Sequence, residues 1–397
     1  MMNIILFDDE ARAGLLPLTF TRPLSELRLG ILTIREKWQK HIEGSYSWMT
    51  EKYLSEKFPK QTGPENLFIN GSISPDKILK DAILALKPDE RLMKAEIIIA
   101  FNMGENPAKE CSSWKDVSGL KVSEYKGEFV RIRHCWDLFS MNEKAIAEDF
   151  QLITSGRKSQ SIPSSNKVMK PENIFLEEGA KVECAFLNAG SGFIYLDKDS
   201  EVMEGCMIRG SFSLGQHSSL KMGAKIYGAT TIGPHCKVGG EVNNSVISGY
   251  SNKAHDGFLG NSVIGEWCNL GADSNNSNLK NNYSLVKIWS FEEEAYVNSG
   301  LQFCGLIMGD HSKCSINTMF NTGTVVGISA NIFGNGFPQK YIPSFAWGGS
   351  EGFTTYRLEE ATEVAQRVYE RRSEKFDEVE QRIFSHLFDS TTIHRAW

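Results

Sequence analysis

The sequence predicts an α/β domain of Rossmann-like type, then a left-handed parallel β-helix and a C-terminal helix. Three observations support this fold class. Strand and amphipathic-helix patterns alternate over the first 140 residues. Aliphatic residues then recur every six positions from Leu196 onwards. After Pro343 this period stops and a charged helical pattern replaces it.

The amino-terminal segment alternates apolar strands with helical stripes. Ile4–Phe7, Leu67–Ile69 and Ile97–Phe101 are short apolar runs that predict buried strands. Apolar residues at helical spacing predict a helix from Leu24 to about Ile42 and another over Asp76–Leu86. This alternation predicts a mostly parallel sheet, which binds ligands at the carboxyl ends of its strands.

A linking helix and a polar stretch mark the end of this first domain. Asn142–Ser155 has a helical pattern, and Ser155–Lys167 is rich in serine and other polar residues. We therefore expect three parts, at residues 1–155, 156–345 and 346–397.

The six-residue period defines the second domain. It fits neither one face of an α-helix nor strand alternation, but it fits a coil of three short strands that each bury one aliphatic residue. Such coils stack into a solenoid in which each rung covers its neighbour. The first run of predicted inward residues is Leu196, Val202, Ile208, Leu214, Leu220, Ile226, Ile232 and Val238.

The period fails in two places, at residues 239–257 and 272–307, and returns in a new register after each. Insertions in a solenoid form loops on a rigid scaffold, and such loops commonly carry function. We therefore expect the functional residues of this domain near these two breaks.

The chain ends in a charged segment with an apolar stripe. Phe345–Gly349 is rich in turn-forming residues, and Thr355–Leu387 has apolar residues at helical spacing. We expect one long helix there, which either covers the open end of the solenoid or crosses to another subunit.

Composition excludes several classes of partner. The 397-residue chain has a formal charge of −6, which argues against general binding to nucleic acids or membrane surfaces. We find no apolar run of membrane-spanning length and no signal-peptide pattern. The eight cysteines form no C-x-x-C pair, so reduced thiols in a cytoplasmic protein with small-molecule substrates are expected.

The most specific stretch is Gly239–Ile247, followed by Ser251–His255, Ile264–Ala272 and Asn275–Lys280. With the two-domain order, it resembles the bifunctional family of sugar-1-phosphate nucleotidylyltransferases and acetyltransferases that makes UDP-N-acetylglucosamine, in the divergent form of Bacteroidetes-type bacteria. The resemblance extends to about residue 350. It implies a nucleotidyltransferase-like first domain, transfer of an acetyl group from acetyl-CoA to an amino-sugar phosphate such as glucosamine-1-phosphate, synthesis of a nucleotide sugar, and a homotrimer.

The resemblance also assigns roles around the first break. His255 matches the family's general base, which takes a proton from the attacking amine, and imidazole titrates near the working pH. Lys253 stands beside it as a candidate substrate contact. The backbone near Ala272 matches the acetyl-CoA contact, where an amide could stabilise an oxyanion.

Further substrate contacts are expected at three asparagines. Asn269 and Asn278 match substrate-contacting asparagines of the family, and Asn243 stands where the family has a basic sugar-phosphate contact. Lys225 and Phe258 replace an arginine and a tyrosine. These departures concern the acceptor more than the reaction type.

The amino-terminal motif departs further from the family. Asp8, Asp9 and Glu10 replace its glycine-rich turn, and three carboxylates would repel a triphosphate. A Mg²⁺ ion held by Asp8 or Asp9, with Arg12 and Arg22 on the phosphates, would reverse this repulsion. The family's metal-binding aspartate aligns with Asn70, a weaker ligand.

Two other functions compete with this interpretation. His217 and His235 lie one coil apart and would stack, as in a zinc hydratase, although a close third ligand is missing. A non-catalytic protein is the other alternative, in which a degenerate first domain binds a sugar nucleotide and the β-helix only trimerises.

Overall fold

The computed structural model describes residues 2–397. The chain forms two compact units, described separately below. The amino-terminal unit comprises the residues up to Leu15, Thr21–Leu27 and Leu32–His134, and the carboxy-terminal unit comprises Leu16–Phe20, Arg28–Ile31 and Cys135–Trp397.

The amino-terminal unit contains one mixed six-stranded sheet. In spatial order its strands are Gly44–Met49, Met2–Phe7, Glu65–Asn70, Ile97–Gly104, Glu90–Lys94 and Lys121–Glu124. The first three are parallel, but Ile97–Gly104 runs antiparallel to both neighbours. The predicted parallel arrangement thus holds only in part, because Glu90–Lys94 joins Ile97–Gly104 through a two-residue hairpin turn, which only antiparallel strands permit.

Short helices and one small strand pair complete this unit. Its helices are Ala11–Gly14, Ile34–His41, Lys77–Leu84 and Glu105–Glu110, and Ile73–Ser74 pairs with Val130–Arg131. The helix predicted from Leu24 begins only at Ile34, where Thr33 and Glu36 form a capping box. Gly30, at a φ of +81°, lies outside helical geometry and interrupts the apolar stripe.

The carboxy-terminal unit is a parallel β-helix with three faces. Face A contains Lys167–Met169, Phe186–Asn188, Met207–Arg209, Lys225–Tyr227, Glu241–Asn243 and Phe258–Gly260, with Asn275–Asn276 pairing Met319–Phe320 beyond it. Face B contains Ile174–Leu176, Ile194–Leu196, Phe212–Leu214, Thr230–Ile232, Val246–Ile247, Val263–Ile264, Leu306–Met308, Thr324–Val326 and Tyr341–Ile342. Face C contains Lys181–Val182, Glu201–Val202, Ser219–Leu220, Lys237–Val238, Asn252–Lys253, Asn269–Leu270, Lys313–Cys314, Asn331–Ile332, Ala346–Gly349 and the antiparallel Gly352–Thr355.

The predicted inward residues form the core of this β-helix. Residues from Leu196 to Val238 at six-residue spacing are all buried in one hydrophobic cluster, and those from Met308 to Ile332 join it. Each coil pairs with the next in parallel register, so the period reflects one inward position per strand. The predicted fold class is confirmed.

The two register breaks differ in kind. Phe212 pairs with Thr230 at an offset of 18 residues, whereas Thr231 pairs with Val246 at an offset of only 15. The first break is therefore a shortened coil and not an insertion. At the second break the offset from Val263 to Ile307 is 44 residues, and the added segment carries the hairpin Lys287–Ser290 with Ala295–Asn298.

Helices precede and follow the β-helix along the sequence. Asp137–Ser140 and Asn142–Thr154 precede it, as predicted for the linking segment. The single long helix predicted after Thr355 is wrong, since Leu358–Glu370 and Glu378–Ser390 are separate. Ser373, at a φ of +58°, interrupts the helical path, and Asp377 caps the second helix.

The C-terminal helices pack on a ladder of rings at one corner of the β-helix. We define the corner ladder by residues with positive φ in successive coils, namely His217, His235, Tyr250, Trp267 and His311. Tyr369 stacks on Trp267 with ring centroids 3.9 Å apart, and Phe384 meets His311 edge-on at 4.8 Å. The helices thus pack within the same chain along a side corner of the β-helix, which differs from the expected cover over its open end.

Candidate functional site

His255 lies at the corner where face C turns into face A. It follows the strand Asn252–Lys253 and precedes Phe258–Gly260, and its side chain is exposed. We call residues 254–257 the histidine turn. A shortened coil still places this turn on the outside of the β-helix, where a substrate can reach the imidazole.

Two glycines let the coil below approach the histidine turn closely. A Cβ atom on Gly239 would lie 2.6 Å from the Ala254 carbonyl oxygen. A Cβ atom on Gly240 would lie 2.9 Å from the His255 carbonyl oxygen, and the φ of Gly240 is +70°. Only glycine combines a positive φ with so close an approach, so Gly239 and Gly240 determine how the histidine turn packs on the coil below it.

Ala272 lies one coil beyond His255 on the same corner. The Asp273 N–H donates to the Asp256 carbonyl at 2.9 Å, which places the two corners side by side. Adjacent rungs of a sheet are about 4.8 Å apart. The Ala272 carbonyl accepts from Asn317 at 2.8 Å, but the Ala272 N–H donates to no group within residues 2–397. A backbone donor beside an exposed histidine suits an oxyanion.

Lys253 lies inside the β-helix. It occupies the inward position of face C between Val238 and Leu270 and is only 2% exposed. Its Nζ donates to the carbonyl oxygens of Gly239 at 3.0 Å and His255 at 2.9 Å. Burial lowers the pKa of Lys253 to about 8. Its role as a substrate contact stays a prediction, since its ammonium bonds to backbone carbonyls.

Two of the predicted substrate residues converge on face A at Gly260. Asn243 pairs with Gly260 in the strand register. A Cβ atom on Gly260 would lie 2.5 Å from Phe258 Cζ and 2.7 Å from Asn278 Nδ2. The Asn278 amide also donates to Asn261 Oδ1 at 2.8 Å. Asn243, Phe258 and Asn278 therefore form a small patch of face A around Gly260, just past the histidine turn, and the Phe258 and Asn278 side chains cover the glycine.

Asn269 lies elsewhere, on the outer side of face C. It is exposed and pairs with Asn252, whose side chain accepts from Arg372 at 3.1 Å. Within one chain, His255 stands at the corner between Asn269 and the patch on face A. The candidate residues thus lie on both sides of this corner.

Face A also carries an apolar groove that the sequence analysis did not predict. Its volume is about 680 Å³. Met169, Phe186 and Met207 line it and are 59%, 55% and 46% exposed. Tyr227 donates to Glu241 at 2.6 Å at the groove's end. The six-residue period marks only the inward positions, whereas these apolar residues occupy outward positions beside inward Val168, Leu187 and Ile208.

In the amino-terminal unit, Asp8 and Arg12 form a buried ion pair after the first strand. Arg12 Nη1 donates to Asp8 at 2.7 Å and to the Arg22 carbonyl at 3.0 Å. Asp8 also accepts from Thr50 at 2.5 Å and from the Leu24 N–H at 2.8 Å. Burial raises the pKa of the Asp8 carboxyl, and the charge of Arg12 opposes this rise.

Asp9 and Glu10 share a second arginine. Arg131 Nη2 lies 2.6 Å from both carboxylates. Asp9 also accepts from Asn70 at 2.6 Å and from the Ala11 N–H at 3.0 Å. Sequence reasoning missed Arg131, because it lies more than 120 residues from Asp9 and reaches it only through the folded sheet. The carboxylates at this turn are therefore compensated without a metal ion.

This arrangement does not fit an open magnesium site. Mg²⁺ needs carboxylate oxygens in octahedral geometry, usually with several waters. Both carboxylates, of Asp8 and Asp9, are engaged by an arginine and by uncharged donors. No group of three His, Cys, Asp or Glu side chains suited to a metal ion occurs among residues 2–397. Mg²⁺ at Asp8 and Asp9 stays a prediction, and no step below uses it.

Arg12 and Arg22 are both buried, at 8% exposure each. The Arg12 guanidinium also contacts the Tyr53 hydroxyl at 3.2 Å. Arg12 therefore bonds to Asp8, the Arg22 carbonyl and Tyr53, and its contact with phosphate stays a prediction.

His217 and His235 do stack, with ring centroids 5.0 Å apart. His235 stacks in turn on Tyr250 at 4.7 Å, within the corner ladder. The two histidines are therefore explained as part of the stacked rings of the corner ladder. Among the described residues no group of three metal ligands occurs, so the zinc alternative has no site there.

Comparisons with known proteins bear on the amino-terminal segment. Residues 4–158 match the family model described as sugar nucleotidyl transferase. The crystal structure of Arabidopsis UDP-N-acetylglucosamine acyltransferase is similar at 16% identity, with a TM-score of 0.25, over 59% of this chain and 94% of that chain. No curated protein sequence matches. Residues 4–158 are thus similar to sugar nucleotidyl transferases. Among residues 2–397, every helix is too short or too polar to span a membrane.

Proposed function

We propose that this chain is a bifunctional transferase of nucleotide-sugar synthesis. Its β-helix would acetylate an amino-sugar phosphate from acetyl-CoA, and its amino-terminal unit would join a sugar-1-phosphate to a nucleotide with release of pyrophosphate. The observation that carries the first activity is the corner where exposed His255 lies one coil from the unengaged N–H of Ala272. The match of residues 4–158 supports the second.

Acetyl transfer needs a base and an oxyanion donor, and this corner offers both. The His255 imidazole would take a proton from the acceptor amine as the amine nitrogen attacks the thioester carbonyl. The Ala272 N–H would donate to the oxyanion of the tetrahedral intermediate, a contribution of about 3–4 kcal/mol in acyl transfer. When the intermediate collapses, the carbon–sulfur bond breaks, and the thiolate of CoA takes the proton from the imidazolium.

The acceptor would bind on face A beside this corner. Asn243 and Asn278 offer amide donors and acceptors for sugar hydroxyls, and Phe258 offers an apolar wall between them. Lys225, one coil below Asn243 on face A, supplies a positive charge for the phosphate. This set suits a small phosphorylated amino sugar.

We further propose a homotrimer that assembles through face A. The exposed Phe186 and Met207 pair in adjacent coils, and Met169 lies in the next outward column, so the three form an apolar patch on a flat sheet face. Large apolar patches are uncommon on monomeric surfaces. Under threefold rotation, face A of one β-helix would contact a different face of the next, and heterologous contacts of this kind close into a ring. In such a trimer, a neighbouring β-helix would bring face C residues such as Asn269 towards the face A patch.

Nucleotidyl transfer by the amino-terminal unit is supported by the ion pairs at its first turn as well as by the family match. Arg12 pairs with Asp8, and Arg131 pairs with both Asp9 and Glu10, so the turn repels a triphosphate less than three unpaired carboxylates would. The sugar-1-phosphate oxygen would attack the α-phosphorus of the nucleotide, and pyrophosphate would leave. Asp8 and Arg12 would hold the turn in shape at the carboxyl end of the first strand.

The test is release of CoA thiol by the purified full-length chain with acetyl-CoA and glucosamine-1-phosphate. A general base contributes about 10²–10⁴-fold, so His255→Ala should lose at least about 100-fold in kcat. His386→Ala, which alters an exposed histidine on the last helix, is the control and should keep wild-type turnover. Equal rates in wild type and His255→Ala would remove His255 as the base.

A non-catalytic amino-terminal unit is the second candidate. The engaged carboxylates of Asp8 and Asp9 favour it, because they leave no open metal site at this turn. Calorimetry with UTP, dTTP and nucleotide sugars, beside an assay for pyrophosphate, separates the two. Tight binding without pyrophosphate release would support a binding domain and contradict nucleotidyl transfer.

A further inference from the structure

Lys253 is an anomaly in the core of the β-helix. The inward positions of face C before and after it are Val238 and Leu270, and both are buried in the hydrophobic cluster. Burying an ammonium group among apolar side chains is costly unless its hydrogen bonds are replaced. A lysine at this one position therefore needs a compensating contact.

That contact joins two coils under the histidine turn. The ammonium donates to the Gly239 carbonyl in one coil and to the His255 carbonyl in the next. A backbone bond from the Gly239 N–H to the Lys253 carbonyl, at 2.8 Å, closes the same link. The turn that carries the imidazole is thus fastened from inside the β-helix.

A second lysine on the same face shows what is distinctive here. Lys313 is half-buried at an outward position, where it pairs with Asn269 and Asn331, and desolvation lowers its pKa to about 8. Its Nζ donates to the carbonyl of His311, two residues earlier in its own coil, at 2.9 Å. Lys313 shares the lowered pKa and a bond to a carbonyl two residues away, but it lies outside the core and its ammonium bonds within its own coil. Linking two coils is thus particular to Lys253.

We propose that Lys253 is a positioning residue that fixes the backbone of His255 for proton transfer, and not a substrate contact. This inference rests on the proposed acetyl transfer. It says that the position of the His255 imidazole depends on Lys253, a buried residue that the substrate does not reach. Without the ammonium, the His255 carbonyl would lose its anchor, and Gly239 and Gly240 would restrain the turn only by contact from below.

Matched substitutions test this proposal. Lys253→Met keeps the length and apolar stem of the side chain and removes the charge, and Lys313→Met does the same at the control position. A misplacement of about 1 Å can cost about 100-fold in rate. We therefore expect Lys253→Met to lower kcat by about 10- to 100-fold while KM for acetyl-CoA stays within about twofold, and Lys313→Met to keep wild-type kcat.

Two further readouts separate positioning from general stability. Amide hydrogen exchange of residues 254–257 should accelerate in Lys253→Met and not in Lys313→Met. Because the pKa of Lys253 is about 8, with Asp256, Asp273 and Cys314 as the ionisable groups around it, wild-type kcat should fall above pH 8, and Lys253→Met should lack this limb. Unchanged exchange and unchanged kcat in Lys253→Met would overturn the proposal.

The exchange experiment does not need enzyme activity. If wild-type protein shows no acetyl transfer, the proposed function fails, yet exchange in the histidine turn still reports whether Lys253 fastens it. If wild-type protein is active and both lysine variants lose kcat equally, Lys253 has only a structural role and the inference is wrong.

Discussion

The close approach of Gly240 to the histidine turn gives a quantitative test of the corner geometry. In Gly240→Ala the new Cβ atom would lie 2.9 Å from Asp256 Cα and from the carbonyl oxygens of His255 and Gly257. All three are backbone atoms, so relief requires the turn itself to move. The φ of +70° adds strain for any residue with a Cβ atom.

Gly223 provides a matched control one coil below. Its φ is +72°, but a Cβ atom there would meet nothing within 4 Å. Both variants should pay the left-handed backbone cost of about 1–2 kcal/mol. Only Gly240→Ala adds steric overlap, which costs about 1–3 kcal/mol. The difference between the two variants isolates the contact with the histidine turn.

The assay is urea unfolding of both full-length variants, followed by CoA release. We expect Gly240→Ala to be less stable than Gly223→Ala by about 1–3 kcal/mol and to lose acetyl transfer, because the turn that carries His255 is displaced. Equal stabilities, with equal activities, would refute the packing argument at this corner.

Three other predictions concern the ion pair, the apolar face and the half-buried Lys313. Asp8→Ala leaves Arg12 buried without its partner and should lower the free energy of unfolding by about 3–5 kcal/mol in a denaturant titration. Asp81→Ala removes a partner from a surface ion pair and should cost less than about 1 kcal/mol in the same titration. Phe186→Glu should convert a trimer to monomers in light scattering after gel filtration, with Ile78→Glu in the other unit as control; an unchanged mass would exclude face A as the interface. The pKa of Lys313 is lowered from 10.5 to about 8, so between these values the native state binds fewer protons than the unfolded chain. The free energy of unfolding of wild type should therefore rise with pH across this range relative to that of Lys313→Met. Parallel pH curves for the two proteins would contradict this prediction.

The sequence was sufficient for the β-helix because its signal is local. Each strand buries one aliphatic residue per six positions, and residues from Leu196 to Val238 repeat this without interruption. The first register break was harder to interpret. A change of phase alone does not distinguish an insertion from a shortened coil, and only the pairing of Thr231 with Val246 shows that residues are missing from the coil.

Residues that act through distant partners could not be predicted. Arg131 reaches Asp9 because Val130–Arg131 pairs with Ile73–Ser74, a contact without any local pattern. Lys253 was noticed for its position beside His255, but its inward direction follows from the strand register of face C. The same register places Asn243 next to Gly260 on face A and Asn269 on face C.

The most direct test of the account is a crystal structure of the protein with CoA and glucosamine-1-phosphate. We predict the sugar amine within hydrogen-bonding distance of the His255 imidazole, the CoA sulfur beside the Ala272 N–H, and the sugar between Asn243 and Asn278. Ligands bound at another corner of the β-helix, with His255 in contact with neither of them, would contradict the assignment of this corner as the site of acetyl transfer.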